Sequence, residues 1–374
     1  MPKDYRSRLF LIRDPYAYER SKAVFFSAVK QNVQLHARQC PEYARLLASQ
    51  GFDIEMLHSE DDLYRIPVIP TLYLKRNRMF SLPENKMAVT ATSSGTKGLQ
   101  SFVGFDRKTL LIGLGMVFRF FAYHKLISPL PTNYIVLGYE PGKHNRLGAA
   151  QTAFGATRFA PALHREYALK YTGSGYELNA EGVVDAVRRY ARQGFPVRFV
   201  GFPQYMFLLA KTLHDRNISV KLNRRSKILL GGGWKQQEGE QADEETFFRL
   251  IRETLGLGQE NCCEFFSAAE HPIAYCKCKN GHFHVPAYSR VIIRDVHTLQ
   301  PVPDGQMGLL SFVMPLVASM PLVSLATDDL AVLSPGDSCG CGIRTPYFTL
   351  LGRAGVQQIK TCTAGAAEIL RGAQ

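Results

Sequence analysis

Cys276 and Cys278 stand one residue apart and are followed by His282 and His284, and Cys339 and Cys341 repeat the spacing in a glycine-rich turn. Short thiol pairs with a nearby imidazole suit tetrahedral Zn²⁺, with Cys276 or Cys278, His284, Cys339 and Cys341 as the expected donors. The competing reading is a set of thiols packed in a β region. A second concentration of chemistry is TATSSGTKG, which places Thr92, Ser93, Ser94, Gly95, Thr96, Lys97 and Gly98 between two apolar runs. Backbone amides of a glycine-rich turn, reinforced by hydroxyls and one ammonium, can surround phosphate oxygens. The segment lacks the GxxxxGK[ST] pattern, and a polar hairpin turn accounts for the same residues.

Four smaller features follow. GGGWK carries Gly231, Gly232 and Gly233 after a strand, where backbone can approach a flat ligand closely, with Lys235 beside them. EFFSAAEH ends another strand with a lone carboxylate, Glu270. TDDL pairs Asp328 with Asp329 beside a strand, and LLGRAG sets Arg353 between glycines. Singly, each is equally an ordinary loop residue.

These groups need elements to hold them. Residues 17–50 read as helical, with Phe25, Val29 and Val33 at helical spacing. IPVIPTLYLK, 66–75, is Pro-punctuated and reads as extended. The middle of the chain alternates strands (132–140, VRFVGFP, SKILLGGGW, NCCEFFSAAE) with helices (181–193, QYMFLLAKTLHD, ADEETFFRLIRETLG), which predicts an α/β fold with a parallel or mixed sheet. After about residue 270 the segments are strand-like, including Val291–Arg294, Leu309–Val313 and Leu330–Leu333. The expected organisation is one large domain over 1–350, with mixed βα sheets plus a β-rich portion, and a short hinge and tail over 351–374.

A chain of 374 residues that is 46% hydrophobic has ample material for a core. The net charge of +13 favours anionic partners. The basic residues are scattered, and no aromatic-basic repeat points to nucleic acid. No signal-type apolar core opens the chain and no run of eighteen apolar residues suggests a membrane span, so the cytoplasm is the expected location.

Taken in order, FFSAVKQNVQLHARQCPEY, IPVIPTLYLK, TATSSGTKGLQSFV, FVGFP, GGGWK, FHVPAYSRVIIRD, TDDLAVL, CGCG, LLGRAG and KTCT resemble the LuxE-type acyl-protein synthetases. These are adenylate-forming enzymes related to phenylacetate–CoA ligases, and the resemblance covers nearly the whole chain. It implies ATP-dependent activation of a fatty or aryl carboxylic acid to an acyl-adenylate. Thr92–Gly98 would hold the triphosphate, Gly231–Gly233 would lie along the adenine with Phe266 beside it, and Glu270 would carry Mg²⁺. Asp329 would accept from the ribose hydroxyls, and Arg353 would reach ribose or phosphate at the hinge. Cys362 would receive the acyl group as a thioester and pass it to a partner protein, a reductase or carrier; Lys360 beside it favours the thiolate. Direct transfer to coenzyme A or a carrier arm is the alternative, and a catalytically lapsed nucleotide-binding homologue is another.

The sequence departs from the superfamily pattern at two places. Ala269 stands where a threonine is expected, and only a short tail follows Arg353, with no counterpart of the lid-domain lysine; Lys235 or Lys360 is the expected substitute cation. His271, next to Glu270, is a candidate for touching the substrate carboxylate.

Overall fold

The computed structural model describes residues 4–92, 101–142, 153–232 and 243–354. Ser93–Gly98, Gly233, Lys235, Lys360 and Cys362 lie outside the described residues. In chain order the structure opens with helices α1 (Tyr5–Phe10), α2 (Tyr18–Gln39) and α3 (Pro41–Ser49). Strand β1 (Ile69–Pro70) leads into the short helix α4 (Thr71–Leu74). Strands β2 (Met87–Thr92) and β3 (Phe102–Asp106) pair antiparallel before helix α5 (Arg107–Tyr123).

Strands β4 (Thr132–Tyr139), β5 (Ala162–Tyr171) and β6 (Tyr176–Leu178) come next, then α6 (Ala180–Gln193), β7 (Val197–Gly201), α7 (Pro203–Asp215), β8 (Lys227–Gly231), α8 (Glu244–Leu255) and β9 (Cys262–Phe266). The remaining strands are β10 (Tyr275–Cys276), β11 (Phe283–His284), β12 (Arg290–Arg294), β13 (Met307–Val313), β14 (Ser324–Ser334) and β15 (Tyr347–Arg353).

The chain forms two compact units. One joins residues up to His124 with those from Ala268 onward; the other is Lys125–Ser267. In the second unit, β5, β4, β7, β8 and β9 pair in parallel, with β6 antiparallel at the β5 edge. Ile135, Val197 and Ile228 turn one face of this sheet onto α6, α7 and α8, which meet it through Val187, Met206 and Ile251. The helix ends follow local rules. Asp243 caps α8 by accepting from the Thr246 amide, Glu244 and Glu245 occupy its first turn, and Gly256 (φ +67°) closes it.

In the first unit the strand order is β11-β15-β14-β13-β12. β1 pairs in parallel with Leu325 and Ala326 of β14, while β15 pairs antiparallel with β14 from Asp329 to Ser334. The β-rich reading after residue 270 therefore holds. The extended reading of IPVIPTLYLK needs a correction, because only Ile69–Pro70 is strand and Thr71–Leu74 turns into a helix. Proline has no amide to extend the ladder, and its fixed φ suits the residue that opens a helix. Among the described residues no helix is long and apolar enough to cross a membrane.

Candidate functional site

Thr92 is the last residue of β2, and Ser101 precedes β3. Ser101 is fully buried and its hydroxyl donates to Oε1 of Glu270, itself only 5% exposed. The structure thus joins the chain just beyond the phosphate-type loop segment to the lone carboxylate. His271, a candidate for touching the substrate carboxylate, lies in the core instead. It is fully buried, stacks on Phe312 at 4.1 Å and bonds the Tyr275 hydroxyl through Nε2 at 2.8 Å, with Tyr275 continuing to Ser289 at 2.6 Å. A ring packed into the core in this way is a structural group, and burial pushes it down to about 3.

Asp329 on β14 and Arg353 on β15 are cross-strand partners, with Arg353 Nε 3.4 Å from Asp329 Oδ1. The Asp329 side chain is 21% exposed and that of Arg353 65%. Burial pushes the Asp329 carboxyl above its ordinary value; Arg353 opposes this and the neighbouring Asp328 adds to it. A largely buried carboxyl beside a cation that reaches solvent is a polar pair with one side turned to solvent. Asp328 is engaged elsewhere, by the Thr71 hydroxyl at 3.3 Å and Lys75 Nζ at 3.5 Å.

In the second unit the glycines sit at the C-terminal ends of parallel strands, where ligands of open α/β sheets bind. Gly231 ends β8 in register with Phe265, and Phe266 ends the adjacent β9. Gly232 follows at φ +82°, and a Cβ there would meet a ring carbon of Phe202 at 2.6 Å. Gly201, ending β7 at φ +144°, is tighter still, because a Cβ would lie 2.3 Å from the Leu137 carbonyl oxygen.

The cysteine motifs converge. Cys278, His284, Cys339 and Cys341 each bring one donor atom, and the four atoms lie within 4.8 Å of one another. The first pair splits because β10 ends at Cys276 and the chain then turns through Cys278–Gly281, where the Gly281 amide donates to the Cys278 carbonyl at 2.9 Å. Cys276 stays in the strand, 3% exposed, and Cys278 alone of the two enters the cluster.

His284 Nδ1 lies 2.9 Å from the Thr345 carbonyl, so Nδ1 carries the proton and Nε2 is left as the donor, 3.2 Å from Cys339 Sγ and 3.1 Å from Cys341 Sγ. His282, with no role assigned from the sequence, places Nδ1 3.2 Å from Cys339 Sγ and stacks on Tyr347 at 4.3 Å. Three sulfurs and one imidazole in this array fit Zn²⁺. No disulfide links the described cysteines.

Comparison with known proteins identifies the family and the fold. The family model for acyl-protein synthetase, LuxE, matches residues 7–370. A long-chain-fatty-acid–luciferin-component ligase of Aliivibrio fischeri is 24% identical over 319 residues, covering 85% of this chain and 81% of that one. A phenylacetate–coenzyme A ligase of Thermus thermophilus is 25% identical over 335 residues, covering 87% and 68%. The solved structure of 2-hydroxyisobutyryl-CoA ligase with 2-HIB-AMP and CoA, in an open conformation, superposes with a TM-score of 0.65 at 18% identity, over 91% of this chain and 76% of that chain. The fold is that of the adenylate-forming ligases.

Proposed function

The chain belongs to the LuxE acyl-protein synthetase family, within the adenylate-forming ligases, and from that premise we propose that it activates a carboxylic acid with ATP and then forms a thioester on Cys362 for delivery to a protein partner. The observation that carries this reading is the cross-strand pair of Asp329, largely buried, and Arg353, open to solvent. A fixed carboxylate accepts from both hydroxyls of a ribose, and a guanidinium beside it meets phosphate oxygens. Thr92 and Ser93–Gly98 are assigned to the triphosphate, Gly231–Gly233 and Phe266 to the adenine, and Lys235 to a cation that meets the charge developing on the phosphates.

The chemistry runs in two steps. A carboxylate oxygen of the acid attacks the α-phosphorus, the bond from that phosphorus to the bridging oxygen breaks, and pyrophosphate leaves with the electron pair. The Cys362 thiolate then attacks the acyl carbon and AMP departs. Mg²⁺, when bound, neutralises charge on the phosphate oxygens. Glu270, whose Oε1 accepts from Ser101, would hold it; one or two carboxylates plus substrate phosphates are a common Mg²⁺ environment. Cys278, His284, Cys339 and Cys341 are assigned to a structural Zn²⁺, four protein donors leaving no position for substrate.

The test is exchange of labelled pyrophosphate into ATP across a panel of acids, long-chain fatty acids first because of the relatives' named substrates. Acid-dependent exchange is expected in the wild type and in Cys362→Ser, with self-acylation lost in the variant. Thioester formation with added coenzyme A by Cys362→Ser would move the assignment to direct transfer. ATP binding without exchange for any acid would favour the non-catalytic homologue.

A further inference from the structure

β14 changes partner along one edge. β1 pairs with Leu325 and Ala326, and β15 takes over from Asp329. The two adjacent acids lie at this change. Asp329 meets Arg353 of β15. Asp328 is held from the other side by the helix that β1 feeds: Thr71 Oγ1 donates to Oδ1 at 3.3 Å and Lys75 Nζ lies 3.5 Å from Oδ2. The contact is sheltered, with Lys75 15% and Asp328 26% exposed at the side chain. The Ala354 amide donates to the Asp328 carbonyl at 2.9 Å, which fixes the backbone at the same point.

We propose that Lys75, with Thr71, is a positioning pair for the nucleotide site: it holds the Asp328 carboxylate away from Asp329 and offsets its charge, leaving Asp329 to Arg353 and to a ribose. This rests on the reading of Asp329 given above. The reasoning is electrostatic. Two neighbouring carboxylates raise each other's proton affinity, and a cation on one relieves the other. Among the described residues, the charged groups on the elements around Asp329 are few. Arg353 faces it from β15 and Asp328 adjoins it, while β1 and β13 carry no ionisable side chain. On β12, Arg290 is engaged by Glu60, and Arg294 by Ser311 and the Leu299 carbonyl. The Lys75 ammonium is therefore the group that offsets Asp328, and burial already pushes Asp329 up.

The experiment is calorimetric titration of the full-length protein with ATP at pH 8 and pH 6. Lys75→Met should lose ATP affinity relative to wild type, and the loss should be larger at pH 6 than at pH 8, because a carboxyl beside an unpaired like charge takes up its proton more readily as pH falls. The wild type titrated at both pH values is the reference, because the terminal phosphate of ATP itself titrates in this range. Lys75→Met/Asp328→Asn should return to the wild-type profile, and Lys75→Arg should keep it. Should Lys75→Met not fold, Asp328→Asn alone reads the same coupling: it should bind ATP at least as well as wild type at pH 6.

An unchanged profile in Lys75→Met, no rescue by Asp328→Asn in a folded double variant, or a loss in Asp328→Asn alone would overturn the proposal. Asp329→Asn separates it from its premise. Weakened ATP binding there with an unchanged Lys75→Met condemns the positioning role only, whereas unchanged binding in Asp329→Asn removes both.

Discussion

The Ser101 hydroxyl donates to the Glu270 carboxylate in a contact between two buried side chains that stand far apart in sequence. Removing the donor leaves a buried charge with less compensation, which typically costs about 1.5–3 kcal/mol. Ser101→Ala is expected to lower stability by that amount in urea denaturation and to raise the Mg²⁺ concentration needed for half-maximal pyrophosphate exchange. Ser101→Thr, which keeps the hydroxyl, should do neither. Equal Mg²⁺ dependence in wild type and Ser101→Ala would separate Ser101 from the metal role assigned to Glu270.

Gly232 holds φ +82° against the Phe202 ring. A side chain at this position meets backbone strain and a close contact together. Gly232→Ala should cost about 1–3 kcal/mol and weaken ATP binding, because the displaced turn lies on the strand end assigned to the adenine. Wild-type stability and ATP affinity in this variant would contradict the assignment.

The metal assignment separates two neighbouring thiols. Protein purified under reducing conditions is expected to carry one zinc per chain by elemental analysis. Cys278→Ser and Cys339→Ser should lose it and lose about 3–5 kcal/mol of stability, since metal binding free energy is part of folding free energy. Cys276→Ser should retain it, because its thiol stays in the strand. Zinc retained in Cys278→Ser and lost in Cys276→Ser would reverse the choice.

Two buried histidines set an acid limit. Burial pushes His36 and His271 each down to about 3 from an ordinary value of 6.5. The unfolded chain takes up a proton at each site below pH 6.5 and the folded chain refuses it, so their stabilising balance is complete above that pH and is lost as pH falls toward 3. The slope is about 1.4 kcal/mol per pH unit for each histidine. Urea denaturation between pH 8 and pH 4 should show it, and His36→Gln, able to keep bonds to Ser81 and the Val317 carbonyl, should make the slope shallower. An unchanged slope would mean that His36 is charged in the fold.

Asp329 carries the opposite sign. Its carboxyl is raised above the unfolded value, chiefly by burial, so the folded state holds a proton that the unfolded state releases, and the charge is a burden once pH passes the folded value. Asp329→Asn should therefore be more stable than wild type at pH 8, with the difference shrinking toward pH 4, while ATP binding falls. A variant less stable at pH 8 would show that the bond to Arg353 outweighs burial.

Much of the fold was legible in the chain. Phe25, Val29 and Val33 marked α2, and the alternation of apolar strands with helical stripes between 132 and 266 marked the parallel sheet, because hydrophobic period reports directly on which face is buried. Thr71–Leu74 was misread because a two-residue strand and a one-turn helix are too short to show a period. His271 stayed an open candidate in the sequence because adjacency to Glu270 does not tell exposure; the stack on Phe312 decides it.

Residue types, hydrophobic periods and the order of the motifs could be read along the chain, and those were enough for the family and the fold. Tertiary structure alone decided that Cys278 and not Cys276 joins His284, Cys339 and Cys341, that Ser101 holds Glu270, and that Lys75 answers Asp328 while Arg353 answers Asp329. The reason is physical. A donor set, a buried hydrogen bond and an ion pair are each defined by distances of a few ångströms between residues remote in the chain, and those distances exist only once turns and strand registers have brought the elements together.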